Sequence, residues 1–275
     1  MYISQGSVFM SDFITVLTTA SGEDLGKSFS GPDLRQRPFQ TSKYFTAEEL
    51  EVHDLTSLID VLQSLEGEPT KTVIRGKVPS NASEIISRDK ETIMASPRSW
   101  CMIDIDGLRW DGPDDHEAML NHSIAQLPAE FQNTDCFYHF SSSMGIKNGI
   151  RVHLWYWLDR PCSDGEMKVW LSGSAADPRM FSHTQIHLTA NPRFVEGAVD
   201  PVAKRSGVLA FGDHKQTVSV PDDLADRTIS KTQTSRYRKS SASGVLDTNG
   251  IVRDEQTGLV IDGREALMFL MSNHI

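Results

Sequence analysis

Ser99-Trp-Cys-Met-Ile-Asp-Ile-Asp-Gly107 reads as a buried β-strand that two carboxylates interrupt. Because side chains alternate along a strand, Asp104 and Asp106 project from one face, and the apolar residues between them point into the core. Neighbouring carboxylates repel each other and lose hydration, so the pair is unfavourable unless a cation binds between them. Mg²⁺ and Mn²⁺ prefer such oxygen ligands, and paired carboxylates facing a phosphate are typical of phosphoryl or nucleotidyl transfer. The alternative is a strand that ends in solvated acids before the turn at Gly107.

The composition indicates an ordinary globular protein, because 39% of the 275 residues are hydrophobic. This length suits one sizeable domain with an extension, or two small domains. No apolar run approaches the ~20 residues of a membrane span, and the start lacks a secretory signal pattern. We therefore expect a cytoplasmic protein without a membrane partner. Cys101, Cys136 and Cys162 lack metal-ligand spacing and lie in or beside apolar segments, which predicts reduced core thiols.

The net charge of −10 excludes a protein that coats nucleic acid by bulk electrostatics. A local phosphate site remains compatible with this charge, because the potential in a cleft depends on nearby groups more than on the total. A few well-placed Arg and Lys side chains, together with cations bound by acids, are sufficient to bind phosphates.

Hydrophobic periodicity predicts a mixed α/β (α+β) chain with three helices. Thr46-Ala-Glu-Glu49 has the form of a capping box, and apolar residues then recur at helical spacing from Leu55 to Leu65. A second helix is predicted between Pro113 and Leu127, and a third over residues 163–173.

Strand patterns alternate with these helices. Strands are predicted over residues 71–78, 100–106, 136–140, 150–158 and 183–188, with a short element near Phe13–Leu17. Strand 150–158 has one apolar face, and its other face carries Arg151, His153, Trp155 and Trp157. A face with Arg and His is a candidate wall of a site. The two tryptophans are expected to pack more often than to stack on bases.

The chain divides into three predicted regions. Residues 1–225 form the main domain, of which residues 1–40 show no sustained period. Residues 226–245 are basic and rich in Ser and Thr, which predicts a flexible linker that could touch nucleic-acid backbone. Residues 246–275 regain apolar character, and residues 263–271 resemble the start of a downstream helical segment.

A third carboxylate, Asp200, is predicted at a strand end before Pro201, with Arg205 shortly after it. Three carboxylates can hold two cations, which bind a triphosphate and lower the pKa of an attacking 3′-hydroxyl. His153 and Arg205 would stabilise phosphate charge. The structural alternatives are that a lone histidine on a strand only packs, and that Asp200 simply begins a turn.

The order of these motifs resembles the archaeo-eukaryotic primase superfamily, in particular primase-polymerases of phages, plasmids and integrated mobile elements. The resemblance covers roughly residues 40–215. It is carried by Val-Ile-Arg-Gly (73–76), Trp-Cys-Met-Ile-Asp-Ile-Asp-Gly (100–107), Arg-Val-His-Leu-Trp-Tyr-Trp-Leu-Asp-Arg-Pro (151–161), Thr-Ala-Asn-Pro (189–192) and Asp-Pro-Val-Ala-Lys-Arg-Ser-Gly (200–207).

The resemblance implies a two-lobed catalytic core around an RNA-recognition-motif-like mixed sheet. It implies a DNA primase-polymerase that makes and extends primers from (d)NTPs on single-stranded or primed DNA, with Mg²⁺ or Mn²⁺ at a two-metal site. A fused or associated replicative helicase often accompanies such domains. The setting would be the cytoplasm of a bacterial or phage-infected cell.

Carried over by position, the resemblance assigns the site residues. The metal-binding carboxylates would be Asp104, Asp106 and Asp200. His153 would contact the nucleotide phosphate. Further phosphate contacts would be Ser141, Ser142, Arg151 and Arg205, with Arg75 a weaker candidate. The position two before the histidine is usually a small residue in this family, so Arg151 is a departure that leaves its own role open.

Other classes remain open. A Toprim-like nuclease or topoisomerase also uses Asp-x-Asp, but it needs a glutamate on an upstream strand, where residues 71–78 offer Arg75 and Lys77. A polymerase-β-like nucleotidyltransferase needs a Gly-Ser turn shortly before the acids, which Pro97–Trp100 does not supply. A non-catalytic replication initiator or DNA-binding module would tolerate loss of all three acids, and no helix-turn-helix pattern is evident to support it.

Overall fold

The structure is a computed structural model that describes residues 11–38 and 40–228, and the backbone of three short strands beyond them. The chain divides into two compact units, Met1–Leu224 and Ala225–Ile275. In the second unit, β13 (Gly244–Leu246), β14 (Val252–Asp254) and β15 (Val260–Asp262) pair as an antiparallel sheet. Most of the predicted linker and the helix start predicted at 263–271 lie outside the described residues.

The described part of the first unit is mixed α/β, with several sheets and few helices. Its helices are α1 (Leu55–Leu65), α2 (His116–Ile124) and α3 (Asp164–Trp170), and 3₁₀ turns lie at Ala129–Phe131 and Pro178–Met180. Its strands are β1 (Asp12–Thr19), β2 (Ser28–Ser30), β3 (Arg35–Gln36), β4 (Tyr44–Val52), β5 (Lys71–Ile74), β6 (Ile86–Ser87), β7 (Arg98–Leu108), β8 (Cys136–Phe140), β9 (Ile150–Cys162), β10 (Arg193–Val195), β11 (Ser206–Leu209) and β12 (Thr217–Val218).

The first sheet has the order β5-β1-β4-β6, and its strands pair antiparallel. The predicted capping box at Thr46 is wrong, because Thr46 lies in β4 and pairs with Thr18 of β1. Helix α1 is capped by Asp54, whose carboxylate accepts a bond from the Ser57 N–H at 2.7 Å. The cap directly adjoins the apolar repeat, and it satisfies amide groups that would otherwise lack a partner.

The second sheet contains β11, β8, β9 and β7 as antiparallel neighbours in that order, with β12 parallel to β9. One of its faces is fully apolar and packs under α2 and α3. This core includes Ile103, Ile105, Tyr138, Val152, Leu154, Tyr156, Met119, Leu120, Met167 and Trp170.

The opposite face of the second sheet is apolar along only half of its length. There Trp100, Met102, Trp155 and Trp157 pack with α1 and the first sheet in a second core. The indole Nε1 of Trp100 donates to the Phe13 carbonyl at 3.0 Å, which ties β7 to β1. Both Trp155 and Trp157 are buried, so they pack and offer no surface for a base. The polar half of this face contains the site.

A third, small sheet positions Lys27, which lines the site described below. It has the order β10-β2-β3, with Phe29 of β2 stacked on Phe194 of β10 at 5.6 Å between centroids. The Arg193 N–H donates to the Lys27 carbonyl at 3.0 Å. This bond fixes the backbone of Lys27 immediately before β2.

Two of the strand predictions are too long. Strand β5 ends at Ile74, because the Gly76 N–H leaves the sheet and donates to the His183 carbonyl at 3.0 Å. The predicted strand at 183–188 is reduced to one bridge between His187 and Val73. The three cysteines are free and buried, as predicted. Within the described residues, we find no helix with the length and apolar character of a membrane span.

Candidate functional site

A pocket of about 320 Å³ lies over the polar half of the second sheet. We call it the acid-pair pocket. Its lining residues come from strands β7, β8 and β9 and from the segments around them: Lys27, Asp104, Asp106, His139, Ser141, Ser142, Ser143, Lys147, Arg151, His153, Met180, Gln185, Ile186, Leu188 and Ala190.

The register between strands decides which side chains lie at the floor of the pocket. In the pairing of β7 with β9, Asp104 lies opposite His153 and Asp106 lies opposite Arg151. In the pairing of β8 with β9, His139 lies opposite His153. Residues directly opposite each other on one face are close neighbours. The sheet therefore brings together four side chains of the predicted site, although they are far apart in sequence.

Asp104 is the most perturbed carboxylate of the pocket. Its pKa is raised to about 7, first because the side chain is largely buried and then because Asp106 and Asp177 lie close to it. Arg151 and Lys27 oppose this effect without cancelling it. A buried carboxylate beside two others is the arrangement that bound cations relieve. Asp104 and Asp106 are therefore the oxygen donors that would hold a divalent cation here, in place of the contact that the Asp106 Oδ1 makes with Arg151.

His153 lies beside this carboxylate. Its Nε2 is 3.6 Å from the Asp104 Oδ1, and burial lowers its pKa to about 4 despite the nearby Asp106. The ring is therefore neutral at pH 7. A neutral imidazole has one N–H donor, which suits contact with a phosphate oxygen.

His139 is fixed from outside the pocket. Its Nε2 lies 3.0 Å from the Asn191 Oδ1, and the Asn191 Nδ2 in turn donates to the Glu66 Oε2 at 3.3 Å. Since the amide must donate to Glu66, its oxygen accepts from His139, which makes Nε2 the protonated nitrogen. Burial lowers the pKa of His139 to about 4. Asn191 of the Thr-Ala-Asn-Pro motif therefore positions a pocket residue.

Cationic side chains form the pocket walls. Arg151 pairs with Asp106 through its NH1. The Lys27 Nζ donates to the Ser143 hydroxyl at 3.2 Å, and burial together with Lys147 lowers the pKa of Lys27. Three cations around two carboxylates are complementary to a polyanion that carries a metal ion.

The loop between β8 and β9 supplies the serines. Ser141, Ser142 and Ser143 all line the pocket. The loop returns to the sheet at Gly149, where φ is +80° and a Cβ would lie 2.8 Å from the Gly107 carbonyl. Glycine is required there because other residues are strained at this φ and would collide with the neighbouring strand.

Asp200 is not brought into the acid pair. Its two oxygens accept from the Arg205 Nε at 2.7 Å and NH2 at 2.6 Å, and the Arg205 NH1 donates to the Ser141 carbonyl at 2.9 Å. Neither residue lines the pocket. Across residues 11–38 and 40–228, no three His, Cys, Asp or Glu side chains are grouped to hold one metal ion. The predicted set of three metal ligands is therefore not assembled, and Arg205 supports the serine loop.

This ion pair has a testable consequence. We expect Asp200→Asn to lower the free energy of unfolding by ~1–3 kcal/mol, because it leaves the largely buried Arg205 guanidinium without its charged partner. Urea unfolding of the metal-free protein measures this change. The matched control is Asp111→Asn, which removes an exposed pair with Arg109 and should change little. Unchanged or increased stability of Asp200→Asn would instead indicate a carboxylate kept for metal binding.

The prediction that Arg75 contacts phosphate is wrong. Its side chain is fully buried behind β7. The Arg75 Nε donates to the Asp164 Oδ1 at 2.9 Å, and its terminal nitrogens donate to the carbonyls of Trp100 and Cys162. All its nitrogens have protein partners, so no phosphate reaches it. Arg75 joins β5, β7 and α3 instead.

Sequence reasoning missed five residues near the acid pair: Lys27, His139, Lys147, Gln185 and Asp177. Lys27 lies in a segment without a hydrophobic period, and only the third sheet brings it to the pocket. Lys147 had a detectable signal, because Lys147-Asn-Gly149 is a turn sequence between two predicted strands. The Asp177 N–H donates to the Asp104 carbonyl at 2.9 Å, a contact that no spacing rule indicates.

Comparison with curated proteins finds similarity to a phage protein. A protein of Escherichia phage T5, described as "Putative replication origin binding protein", is 24% identical over 203 residues. The aligned region covers 67% of this chain and 22% of the phage protein, so the chain spans less than a quarter of that relative. No family model matches the chain, and no solved structure matches it.

Proposed function

We propose that this chain is the catalytic part of a phage-type DNA primase-polymerase, which adds nucleotides from (d)NTPs to a primer on a DNA template. The observation that carries the proposal is the raised pKa of Asp104, at the floor of a pocket whose walls are cationic. Such a pocket suits a polyphosphate that arrives with a divalent cation. The description of the phage relative as a putative replication origin binding protein supports a role in replication.

In this proposal the residues of the acid-pair pocket have different roles in binding the metal ion and the phosphates. Asp104 and Asp106 would hold Mg²⁺ or Mn²⁺, which supplies Lewis acidity and lowers the pKa of the attacking 3′-hydroxyl. Lys27, Lys147 and Arg151 would bind phosphate oxygens and offset their charge. Neutral His153 would donate one N–H to a phosphate. The proposal assigns Asp200 to the support of the serine loop, because both of its oxygens accept hydrogen bonds from Arg205, whereas Arg151 binds only the Oδ1 of Asp106.

The topology of the second sheet also supports the proposal. The order β7-α2-β8-β9-α3 followed by strands is the beginning of a βαββαβ arrangement. The spatial order β7-β9-β8 places the first strand beside the third and the third beside the second, as in an RNA-recognition-motif-like sheet. The later strands differ, because β11 pairs with β8 and β12 pairs with β9. We propose on this basis a two-lobed primase-like core.

Primer extension tests the proposal directly. We expect the purified chain to elongate a labelled primer on a DNA template with dNTPs and Mn²⁺ or Mg²⁺, and Asp106→Asn to reduce the rate at least 100-fold, because one cation ligand is lost. Asp111→Asn, outside the pocket, is the matched control. Absence of extension by the wild type, or full activity of Asp106→Asn, would contradict the proposal. Products formed without a primer would add priming to the assigned activity.

A non-catalytic origin-binding role is the second candidate, favoured by the description of the phage relative. It predicts tight binding of duplex DNA without metal, in the wild type and in Asp106→Asn alike. The two roles are separated by measuring duplex binding and primer extension on the same preparations. A Toprim-like enzyme has less support, because no glutamate occurs among the residues that line the acid-pair pocket. A fused or associated replicative helicase stays a proposal.

A further inference from the structure

The side chain of Arg151 is in direct contact with the acid pair. Arg151 lies opposite Asp106 in the pairing of β9 with β7, and its NH1 contacts the Asp106 Oδ1. Its positive charge also opposes the rise in the pKa of Asp104. The two carboxylates therefore already have a counter-charge that belongs to the protein.

This contact is enclosed on the arginine side and open on the carboxylate side. The Arg151 side chain is only 17% exposed, whereas that of Asp106 is 61% exposed. The backbone of Arg151 is fixed, because its carbonyl accepts a hydrogen bond from the Ser141 N–H at 2.9 Å. A carboxylate this exposed gains little from one ion pair, since water screens the attraction. Asp106 can therefore exchange its partner with little loss of free energy, and only the Arg151 side chain has to move.

The guanidinium of Arg151 has donors that the protein does not use. Its Nε is buried and has no hydrogen-bond partner in the described part of the chain. Its NH2 lies beside Gly107, where a Cβ would come within 3.1 Å of it. A buried donor without a partner is unfavourable, and a guanidinium can bind an oxyanion through two nitrogens at once. The side chain is therefore incompletely satisfied where it lies and is suited to a phosphate.

The neighbouring cations also favour a polyanion beside Arg151. The pKa of Lys27 is lowered first by burial, and further by the charges of Lys147 and Arg151. These three positive charges therefore repel one another across the acid-pair pocket. A triphosphate would relieve this repulsion and would accept hydrogen bonds from the unused donors of Arg151.

We propose that Arg151 couples the binding of a divalent cation to the binding of a triphosphate. Without a ligand it is the counter-charge of Asp106, and a free cation has to compete with it for that carboxylate. When a triphosphate enters together with the cation, the guanidinium turns to the phosphate oxygens and leaves Asp106 to the metal. This inference rests on the proposed function. It gives a role to the arginine that stands where the primase resemblance implies a small residue.

Two separate calorimetric titrations test this coupling. The probes are Mn²⁺ alone and the preformed Mg²⁺ complex of inorganic tripolyphosphate, each added to the wild type and to Arg151→Gln. We expect Arg151→Gln to bind Mn²⁺ ~5-fold more tightly, because the competing charge is removed. It should bind the tripolyphosphate complex ~10-fold more weakly, because charge-assisted hydrogen bonds are lost. A folding defect would weaken the binding of both ligands, so changes of opposite sign exclude it.

The matched control is Lys147→Gln, which removes the same charge from the wall of the same pocket and leaves the contact between Arg151 and Asp106 in place. It should weaken the tripolyphosphate complex and change Mn²⁺ affinity by less than ~2-fold. The coupling would be overturned, without any effect on primer extension, if Arg151→Gln failed to gain Mn²⁺ affinity, if it kept its tripolyphosphate affinity, or if both variants gained Mn²⁺ affinity equally. Failure of the wild type to bind the tripolyphosphate complex would overturn both this inference and the proposed function.

Discussion

Asp104→Asn is expected to make the metal-free protein more stable above pH 7 while it eliminates primer extension. The carboxylate has a pKa of about 7 in the folded chain, against 3.8 for the free side chain. Above pH 7 the folded state therefore carries a charge that its surroundings disfavour. A difference of this size corresponds to ~4 kcal/mol, and the neutral amide should recover ~2–4 kcal/mol of it.

The pH dependence has a definite sign. Between about pH 4 and pH 7, folded Asp104 keeps a proton that the unfolded chain releases. The contribution of Asp104 to the free energy of unfolding therefore falls as pH rises through this window. The Asn variant lacks this contribution, so the difference between variant and wild type should grow from pH 4 to pH 7 and then stay constant.

Urea unfolding at several pH values, with and without Mg²⁺, measures these effects. Mg²⁺ should stabilise the wild type and leave Asp104→Asn unchanged, because a ligand stabilises only a folded state that binds it. Asp111→Asn is the control, since its carboxylate is exposed and outside the pocket. A destabilised Asp104→Asn at pH 8 would show that the carboxylate serves the fold and would remove the main support for a cation site.

Arg75→Met is expected to lower the free energy of unfolding by ~3–5 kcal/mol. The substitution leaves the carbonyls of Trp100 and Cys162 without donors inside the protein and deprives Asp164 of its cation. Loss of one partner from a buried ion pair typically has this effect. Thermal or urea unfolding measures it. For a 275-residue chain this is a large part of the total stability.

The matched control is Arg109→Met, which removes an exposed arginine whose pair with Asp111 lies on the surface. It should change the free energy of unfolding by less than ~1 kcal/mol. If Arg75→Met unfolded like the wild type and only bound tripolyphosphate more weakly, Arg75 would be a phosphate contact after all, and the buried contacts described above would be incorrect.

Alternation within single strands made part of this site predictable. The period of two placed Asp104 with Asp106 on one face of β7, and Arg151 with His153 on one face of β9. These facts need only local sequence. The positions of β8 and β9 also followed from local periodicity, to within a few residues at their ends, whereas α1 begins nine residues after the capping box that was predicted to start it.

Register and long-range contacts were not predictable from one sequence. Which residue of β9 faces Asp104 depends on how two strands align, and a shift by one residue would send His153 to the other face. Arg75 looked like an exposed strand residue, but β5 ends one residue before it and the side chain turns inward. Lys27 reaches the pocket only through the third sheet.

Asp200 shows a different limit of prediction from sequence motifs. Its position after an apolar stretch and before Pro201 matched a metal-binding motif, yet Arg205 lies five residues later and binds both carboxylate oxygens. A bidentate pair of this kind forms within one loop and needs no distant strand. The order of the motifs therefore singled out Asp200, but it did not predict that Arg205 would bind its carboxylate.

The buried ring of His187 should make the protein less stable at acidic pH. Its ring lies against Trp100 and Trp155, neither ring nitrogen has a hydrogen-bond partner, and burial lowers its pKa to about 3. Below about pH 6.5 the unfolded chain gains a proton at this ring and the folded chain does not, so each further pH unit removes ~1.4 kcal/mol until the folded ring also protonates. Acidification would therefore destabilise the protein through a ring buried against the tryptophans that join the two larger sheets.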